Sequence, residues 1–227
     1  MELTLNPVNT EVSYTASFED PELVLGRLKT ESQIGLRAKL AKAYGLGINA
    51  IGTEAGAVGD RFISLTKFEQ PSLFELSFGL ESVNATLRNA LNISQFGEFY
   101  NKAAVLFENC PMNHQYIAFR QQLEAKGDVD VDSFLRSLNP KVPKGFEKSL
   151  HGRGVDYLLR FPDEGLQVYV AIVSSLFLDK GVFVNTENTF RPNQYNFKQA
   201  FDVALKYRNF VVDNVNLSIE GEATGGD

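Results

Sequence analysis

The chain has 227 residues, of which 44% are hydrophobic and 11% aromatic, which supports a sizeable core and argues against disorder. A net charge of -6 disfavours broad nucleic-acid affinity, and a single cysteine excludes an internal disulfide framework. The N-terminal residues lack the pattern of a secretory signal, and the most apolar run, Leu166–Leu178, is shorter than a membrane span of about 20 residues. A cytoplasmic protein with no membrane contact is therefore expected.

The first half of the sequence alternates between the two-residue period of strands and the three-to-four-residue period of helices. In the strand pattern at 11–18, Val12, Tyr14, Ala16 and Phe18 face one side. The predicted elements are strand 11–18, a helix from Asp20 to Gly45, strands 61–68 and 73–80, a helix capped by Ser94, and a strand with Ile117, Phe119 and Leu123.

The second half begins with a short helix and a connector rich in Pro and Lys. Strand patterns dominate the remainder of the chain, since 155–161 alternates and 166–178 is apolar on both faces. The predicted elements are helix 133–138, strands 155–161, 166–178 and 181–190, helix 194–212, and a strand with Val215, Leu217 and Ile219.

This order predicts the α+β fold class. Residues 1–127 form a ferredoxin-like β-α-β-β-α-β half, 128–153 a connector, 154–222 a second antiparallel β-β-β-α-β half, and 223–227 a flexible tail. Both halves contain the order β-β-α-β, which suggests a degenerate duplication. Whether the halves form one domain or two stays open.

The stretch CPMNH, Cys110 to His114, concentrates soft metal ligands. Pro111 disfavours a continuous helix that would bring Cys110 and His114 onto one face. Cys110 also continues the apolar helical stripe of Leu106 and Phe107, which directs it to the core. We expect a buried, inert cysteine at the end of a helix and no metal site.

The segment GDVDVDSF places Asp128, Asp130 and Asp132 on one side of an extended chain, as a hard cation prefers. Its start resembles a calcium loop, but Ser133 stands in place of the glycine and Asn139 in place of the bidentate glutamate. We expect Asp130 or Asp132 to cap the next helix along the chain.

The most basic segment, Lys141 to Arg160, carries five cations and two carboxylates. Glycines flank Arg153, and His151 can donate to phosphate or shuttle a proton. The candidate residues for an anion or RNA contact are Lys144, Lys148, His151, Arg153 and Arg160. The alternative interpretation is an ordinary solvated loop.

The sequence offers few candidates for catalysis, because it has only two histidines and one cysteine and contains neither a nucleophile elbow nor a phosphate-binding lysine loop. A non-catalytic protein without a cofactor is therefore expected. Three functions remain open. The first is binding to a protein partner or to a second copy of the chain through sheet edges. The second is RNA binding or processing by the basic segment, and the third is a small-ligand pocket lined by Phe side chains.

Overall fold

The computed structural model describes residues 3–21, 33–52, 61–79, 81–90, 92–104, 110–127, 129–138 and 153–220. Within these ranges it contains ten strands and four helices. The strands are β1 (Leu3–Phe18), β2 (Ile51–Gly52), β3 (Arg61–Glu69), β4 (Ser72–Gly79), β5 (Ser82–Arg88), β6 (Met112–Ala125), β7 (Gly154–Phe161), β8 (Leu166–Ser174), β9 (Gly181–Phe190) and β10 (Leu217–Ile219). The helices are α1 (Gln33–Tyr44), α2 (Ser94–Ala104), α3 (Val131–Leu138) and α4 (Phe197–Asn214).

All ten strands join in one sheet. Nine follow the order β2-β3-β4-β5-β1-β6-β9-β8-β7, and each neighbouring pair is antiparallel. The tenth strand, β10, pairs in parallel with the first residues of β1. The protein is thus a mixed α+β structure made mostly of sheet. No helix in the described ranges is long and apolar enough to cross a membrane.

The central pair, β1 and β6, determines which face of the sheet is buried. Successive side chains of a strand point to opposite faces, and Tyr14 of β1 lies opposite Ile117 of β6 on the buried face. Along the sheet, the same face carries Thr186 of β9 and Val170 of β8, which are also fully buried. The four described helices cover this face and leave the other one open.

An aromatic cluster fills the space between α2, α4 and the sheet. Tyr14 packs edge-on against Tyr100 of α2, with ring centroids 4.8 Å apart, and against Phe197 of α4 at 5.0 Å. Phe201 of α4 contacts Phe119 of β6. A Cβ atom at Gly97 would lie only 3.2 Å from the Phe201 ring, so a larger residue there would require the ring to move by a few tenths of an ångström.

Polar contacts also hold α4 on the sheet. The buried guanidinium of Arg208 donates to the amide oxygen of Gln121, whose amide nitrogen lies 3.4 Å from the hydroxyl of Thr10. Beneath the start of α4, the Tyr14 hydroxyl donates to Gln115 at 3.0 Å. Because buried polar groups are costly unless they are hydrogen-bonded, these contacts fix the position of the helix.

Side-chain caps explain where the helices begin. The Asn196 side chain accepts a hydrogen bond from the Gln199 main-chain amide at 2.9 Å, and the Gln199 side chain accepts one from the Asn196 main-chain amide at 3.0 Å, which forms a capping box. The predicted cap of α3 is confirmed, since Asp130 accepts from the Ser133 amide at 3.0 Å. The predicted cap of α2 is wrong: Ser94 is its first residue, and Asn92 accepts the amide hydrogen bond of Gln95 instead.

The structure adds strands to the predicted order. Neither β2 nor β5 was predicted, and β1 begins at Leu3 instead of residue 11. The early part of β1 contains Pro7, which lies at an irregularity in the pairing with β6, where a proline is tolerated. Cys110 is buried, as its position in the helical stripe predicted. The predicted helical segment 22–32, residues 139–152 of the predicted connector and the predicted tail 223–227 lie outside the described residues.

We expect the fold to lose stability at alkaline pH. Burial raises the pKa values of Tyr14, Tyr44 and Tyr100 above the ordinary value of 10.0. Above pH 10 the unfolded chain releases these protons while the folded chain retains them, so the free energy of unfolding falls as the pH rises. Below pH 10 these three groups should leave the stability unchanged.

Urea unfolding at a series of pH values, together with tyrosine absorbance at 295 nm, tests this expectation. Ionisation of the buried tyrosines should coincide with unfolding. A free energy of unfolding that stays constant well above pH 10 would contradict the assignment of these three hydroxyls to the core.

Candidate functional site

The candidate site is the outer edge of β7, which is the last strand on one side of the sheet. The side chains of β7 alternate between the two faces of the sheet. Those that pack against the core are Val155, Leu159 and Phe161. On its inner side β7 pairs with β8 from Gly154, opposite Val173, to Phe161, opposite Leu166, with no irregularity. No strand among the described residues pairs with its outer side.

Hydrogen bonding at the start of β7 shows which main-chain groups point outward. The Arg153 carbonyl accepts from the Ser174 amide at 2.7 Å, so these two residues form a hydrogen-bonded pair. In an antiparallel ladder such pairs alternate with pairs whose amide and carbonyl groups point away from each other. Asp156, Leu158 and Arg160 therefore direct their amide and carbonyl groups to the free edge.

Exposed apolar side chains accompany this edge. Tyr157 is 42% exposed and Leu158 is 53% exposed. Leu176 and Phe177 are almost fully exposed in the loop between β8 and β9, which lies at the end of the sheet where β7 begins. At the opposite edge β2 has only two residues, so the outer side of most of β3 also lacks a partner strand among the described residues.

A row of charged side chains crosses the open face of the sheet. It contains one residue from each of five neighbouring strands, in the order Glu75, Arg88, Glu11, Arg120 and Glu187. Arg88 lies 3.1 Å from Glu75, and Arg120 lies 3.0 Å from Glu11. Each cation thus has carboxylates on both sides. The centre of the open face is therefore poorly suited to bind an anion.

Tyr116 belongs to the same polar surface. Burial, followed by the negative charge of Glu187, raises the pKa of Tyr116 to about 12, although the charge of Arg120 acts in the opposite direction. Its hydroxyl lies 3.3 Å from a guanidinium nitrogen of Arg120 and accepts a hydrogen bond from it. Since the group stays protonated at neutral pH, it does not add a negative charge to the row.

The structure separates the two described members of the predicted anion site. Arg153 and Arg160 lie at opposite ends of β7, about 23 Å apart at the usual strand rise. They also face opposite sides of the sheet. Arg153 is mostly buried and lies 3.2 Å from Asp132 of α3, whereas Arg160 is exposed. Lys144, Lys148 and His151 lie outside the described residues.

Arg160 instead lies near an arginine that the sequence did not single out. Both Arg160 and Arg191 line an open cleft of about 340 Å³ at the end of β7, β8 and β9, together with Gln167 and Thr189. The Arg191 amide donates to the Gly165 carbonyl at 2.8 Å, which holds the end of β9 against the β7–β8 turn. Among the described residues, neither guanidinium has a carboxylate partner.

Sequence reasoning also missed the residues of the free edge. The alternation at 155–161 places Asp156 and Leu158 in a strand, but nothing in a strand pattern identifies the strand as an edge. One signal was present in the sequence: DYLLR has charges of opposite sign two residues before and two residues after Leu158. Such a pattern can match itself in antiparallel pairing.

The comparisons with known proteins do not assign the chain to a family. No family model matches the chain, and no curated protein matches it significantly. Within the part of the chain that the structure describes, no group of three or more His, Cys, Asp and Glu side chains is placed to hold a metal ion. Any assignment of function therefore depends on the geometry of the chain itself.

We expect Arg153 to contribute to stability and Arg160 to contribute little. Arg153→Met removes the contact between the mostly buried Arg153 side chain and the half-exposed carboxylate of Asp132, and it should lower the free energy of unfolding by about 1 kcal/mol. The matched control Arg160→Met removes an equal charge from an exposed position and should change it by less than about 0.5 kcal/mol. Urea denaturation at low protein concentration measures both. Equal losses in the two variants would contradict the structural role of Arg153.

Proposed function

We propose that the protein works by binding another polypeptide chain, which adds a strand to the outer edge of β7. The observation that carries the proposal is the row of amide and carbonyl groups of Asp156, Leu158 and Arg160 that points away from β8. A strand added there gains main-chain hydrogen bonds, and alternate side chains supply specificity.

The properties of β7 are those of an edge strand that can accept another strand. Natural sheets protect edges with short strands, prolines, charged residues (especially lysines) or bulges. The eight residues of β7 contain neither proline nor lysine, and its pairing with β8 is regular. The exposed side chain of Leu158 lies at the centre of the strand and provides apolar area that an added strand would bury.

Leu158→Pro should strongly weaken the binding while the fold persists. Proline removes an outward amide that makes no bond to β8, and prolines are tolerated on the free side of edge strands. An added strand would lose that bond and meet the proline ring, so affinity should fall at least about tenfold. The matched control Leu158→Val keeps the amide and suits a strand, so it should bind nearly as well as the original chain.

Light scattering after size exclusion detects association with a second copy, and affinity capture from the native host detects other partners. Circular dichroism verifies that each variant is folded. The proposal fails if the chain is a strict monomer that retrieves no partner. It also fails if a partner binds the Leu158→Pro variant as tightly as the original chain.

A second candidate function, binding of single-stranded RNA, is favoured by the cleft that contains Arg160 and Arg191. Two guanidinium groups without carboxylate partners among the described residues are suited to contact phosphates of a nucleic-acid backbone. Lys144, Lys148 and His151 stay part of this proposal from the sequence alone. Because the arginines at the centre of the open face are paired with carboxylates, RNA would bind only at the cleft that contains Arg160 and Arg191.

For this second candidate, Arg191→Glu should weaken RNA binding and reduce its dependence on salt. Lys198→Glu is the control, because it makes the same change in net charge at an exposed position on α4. Filter binding at about 50 mM salt, where backbone contacts are strong, is the measurement. Absence of any affinity in the original chain, or equal losses in both variants, would exclude the cleft as an RNA site.

We also propose that the two halves of the chain derive from a duplication. The order β4-β5-α2-β6 in the first half corresponds to β8-β9-α4-β10 in the second. In each half an antiparallel hairpin precedes a helix and a further strand. A superposition that matches both hairpins and both helices at once would support this origin, and one that matches only single elements would argue against it.

A further inference from the structure

We propose that the chain added to the β7 edge is a second copy of this protein, which pairs antiparallel about a twofold axis at Leu158. This inference rests on the proposed function, because it names the partner for the same edge. Its basis is the self-complementarity of β7. The same eight residues, Gly154–Phe161, supply both the surface and its match.

Main-chain geometry restricts how two copies of β7 can pair. The outward-pointing groups belong to the even-numbered residues, so an even-numbered residue must face an even-numbered residue of the partner. With the axis at Leu158, this residue faces Leu158 of the partner subunit. Asp156 then faces Arg160 of the partner subunit, and Arg160 faces Asp156 of the partner subunit. Each of these three pairs can exchange two main-chain hydrogen bonds.

Side chains complement each other on both faces in this register. On the open face, two Asp156–Arg160 ion pairs flank the apolar contact between the two Leu158 side chains. On the other face, Tyr157 lies opposite Leu159 of the partner subunit, and Val155 lies opposite Phe161 of the partner subunit. Opposite charges and aromatic–aliphatic pairs are the cross-strand combinations that stabilise antiparallel sheets.

The neighbouring registers lack this match. A shift by two residues in one direction places Asp156 opposite Leu158 and Arg160 opposite Gly154 of the partner subunit. The opposite shift places Asp156 opposite Pro162, which has no amide to donate. An in-register parallel pairing would bring each charged residue beside its own copy. Only the register centred on Leu158 pairs both charges.

Charge-exchange variants test the register. Asp156→Arg places Arg opposite Arg160 of the partner subunit, and Arg160→Asp places Asp opposite Asp156 of the partner subunit. Each single variant should therefore dimerise at least about tenfold more weakly than the original chain. The double variant Asp156→Arg/Arg160→Asp restores both ion pairs and should recover the dimer. An equimolar mixture of the two single variants should also recover it, as a heterodimer.

Sedimentation equilibrium measures these dissociation constants, and circular dichroism verifies the fold of each variant. Hydrogen exchange provides a second measurement on the original chain. The amides of Asp156, Leu158 and Arg160 should exchange more slowly at concentrations well above the dimer dissociation constant than well below it. These amides are free in the monomer and bonded in the dimer.

The outcomes separate this inference from the function on which it rests. If a partner other than a second copy binds the original chain but not Leu158→Pro, strand addition holds and the self-pairing inference is overturned. If the single charge variants dimerise normally, or the double variant and the mixture fail to recover the dimer, the register is wrong. If Leu158→Pro changes neither association nor capture, both the function and the inference fail.

Discussion

The pairing of β1 with β6 is the constraint on which the rest of the structure depends. It runs from Leu5, opposite Ala125, to Phe18, opposite Met112, along nearly the whole of both strands. Because side chains alternate along a strand, this register assigns every residue of both strands to the helix-covered face or the open face. The pairings of the neighbouring strands extend the same assignment of faces across the sheet. A slip of β1 by one residue would turn Tyr14 to the open face and Glu11 to the helix-covered face.

Much of this architecture could be predicted, because the buried face leaves a strong pattern in the sequence. The alternation of Val12, Tyr14, Ala16 and Phe18 and the cap at Asp130 depend on local spacing alone. The strand β5 was missed although Val83, Ala85 and Leu87 alternate with polar residues, because the alternation spans only seven residues. Short apolar stretches among polar residues do not distinguish a strand from a loop.

The candidate site could not be predicted in the same way, because it depends on the order of strands in the sheet. Arg153 and Arg160 are close in sequence, which suggested one basic surface. An extended strand separates its ends instead of bringing them together. Only the tertiary arrangement shows that Arg153 faces Asp132 of α3 while Arg160 faces the cleft with Arg191. Likewise, no local pattern indicates that β7 has a neighbour on one side only.

Charged residues on an edge strand usually serve to prevent uncontrolled pairing. Against an arbitrary strand, Asp156 and Arg160 do so, because one or both charges would face an apolar or like-charged residue. Against a second copy of β7 in antiparallel register, the same two charges meet their opposites. Specificity is a difference between affinities, and residues that oppose wrong partners while matching the right one provide it. In the proposed dimer, two charges of opposite sign spaced evenly around Leu158 would therefore oppose pairing with other strands and still select one partner.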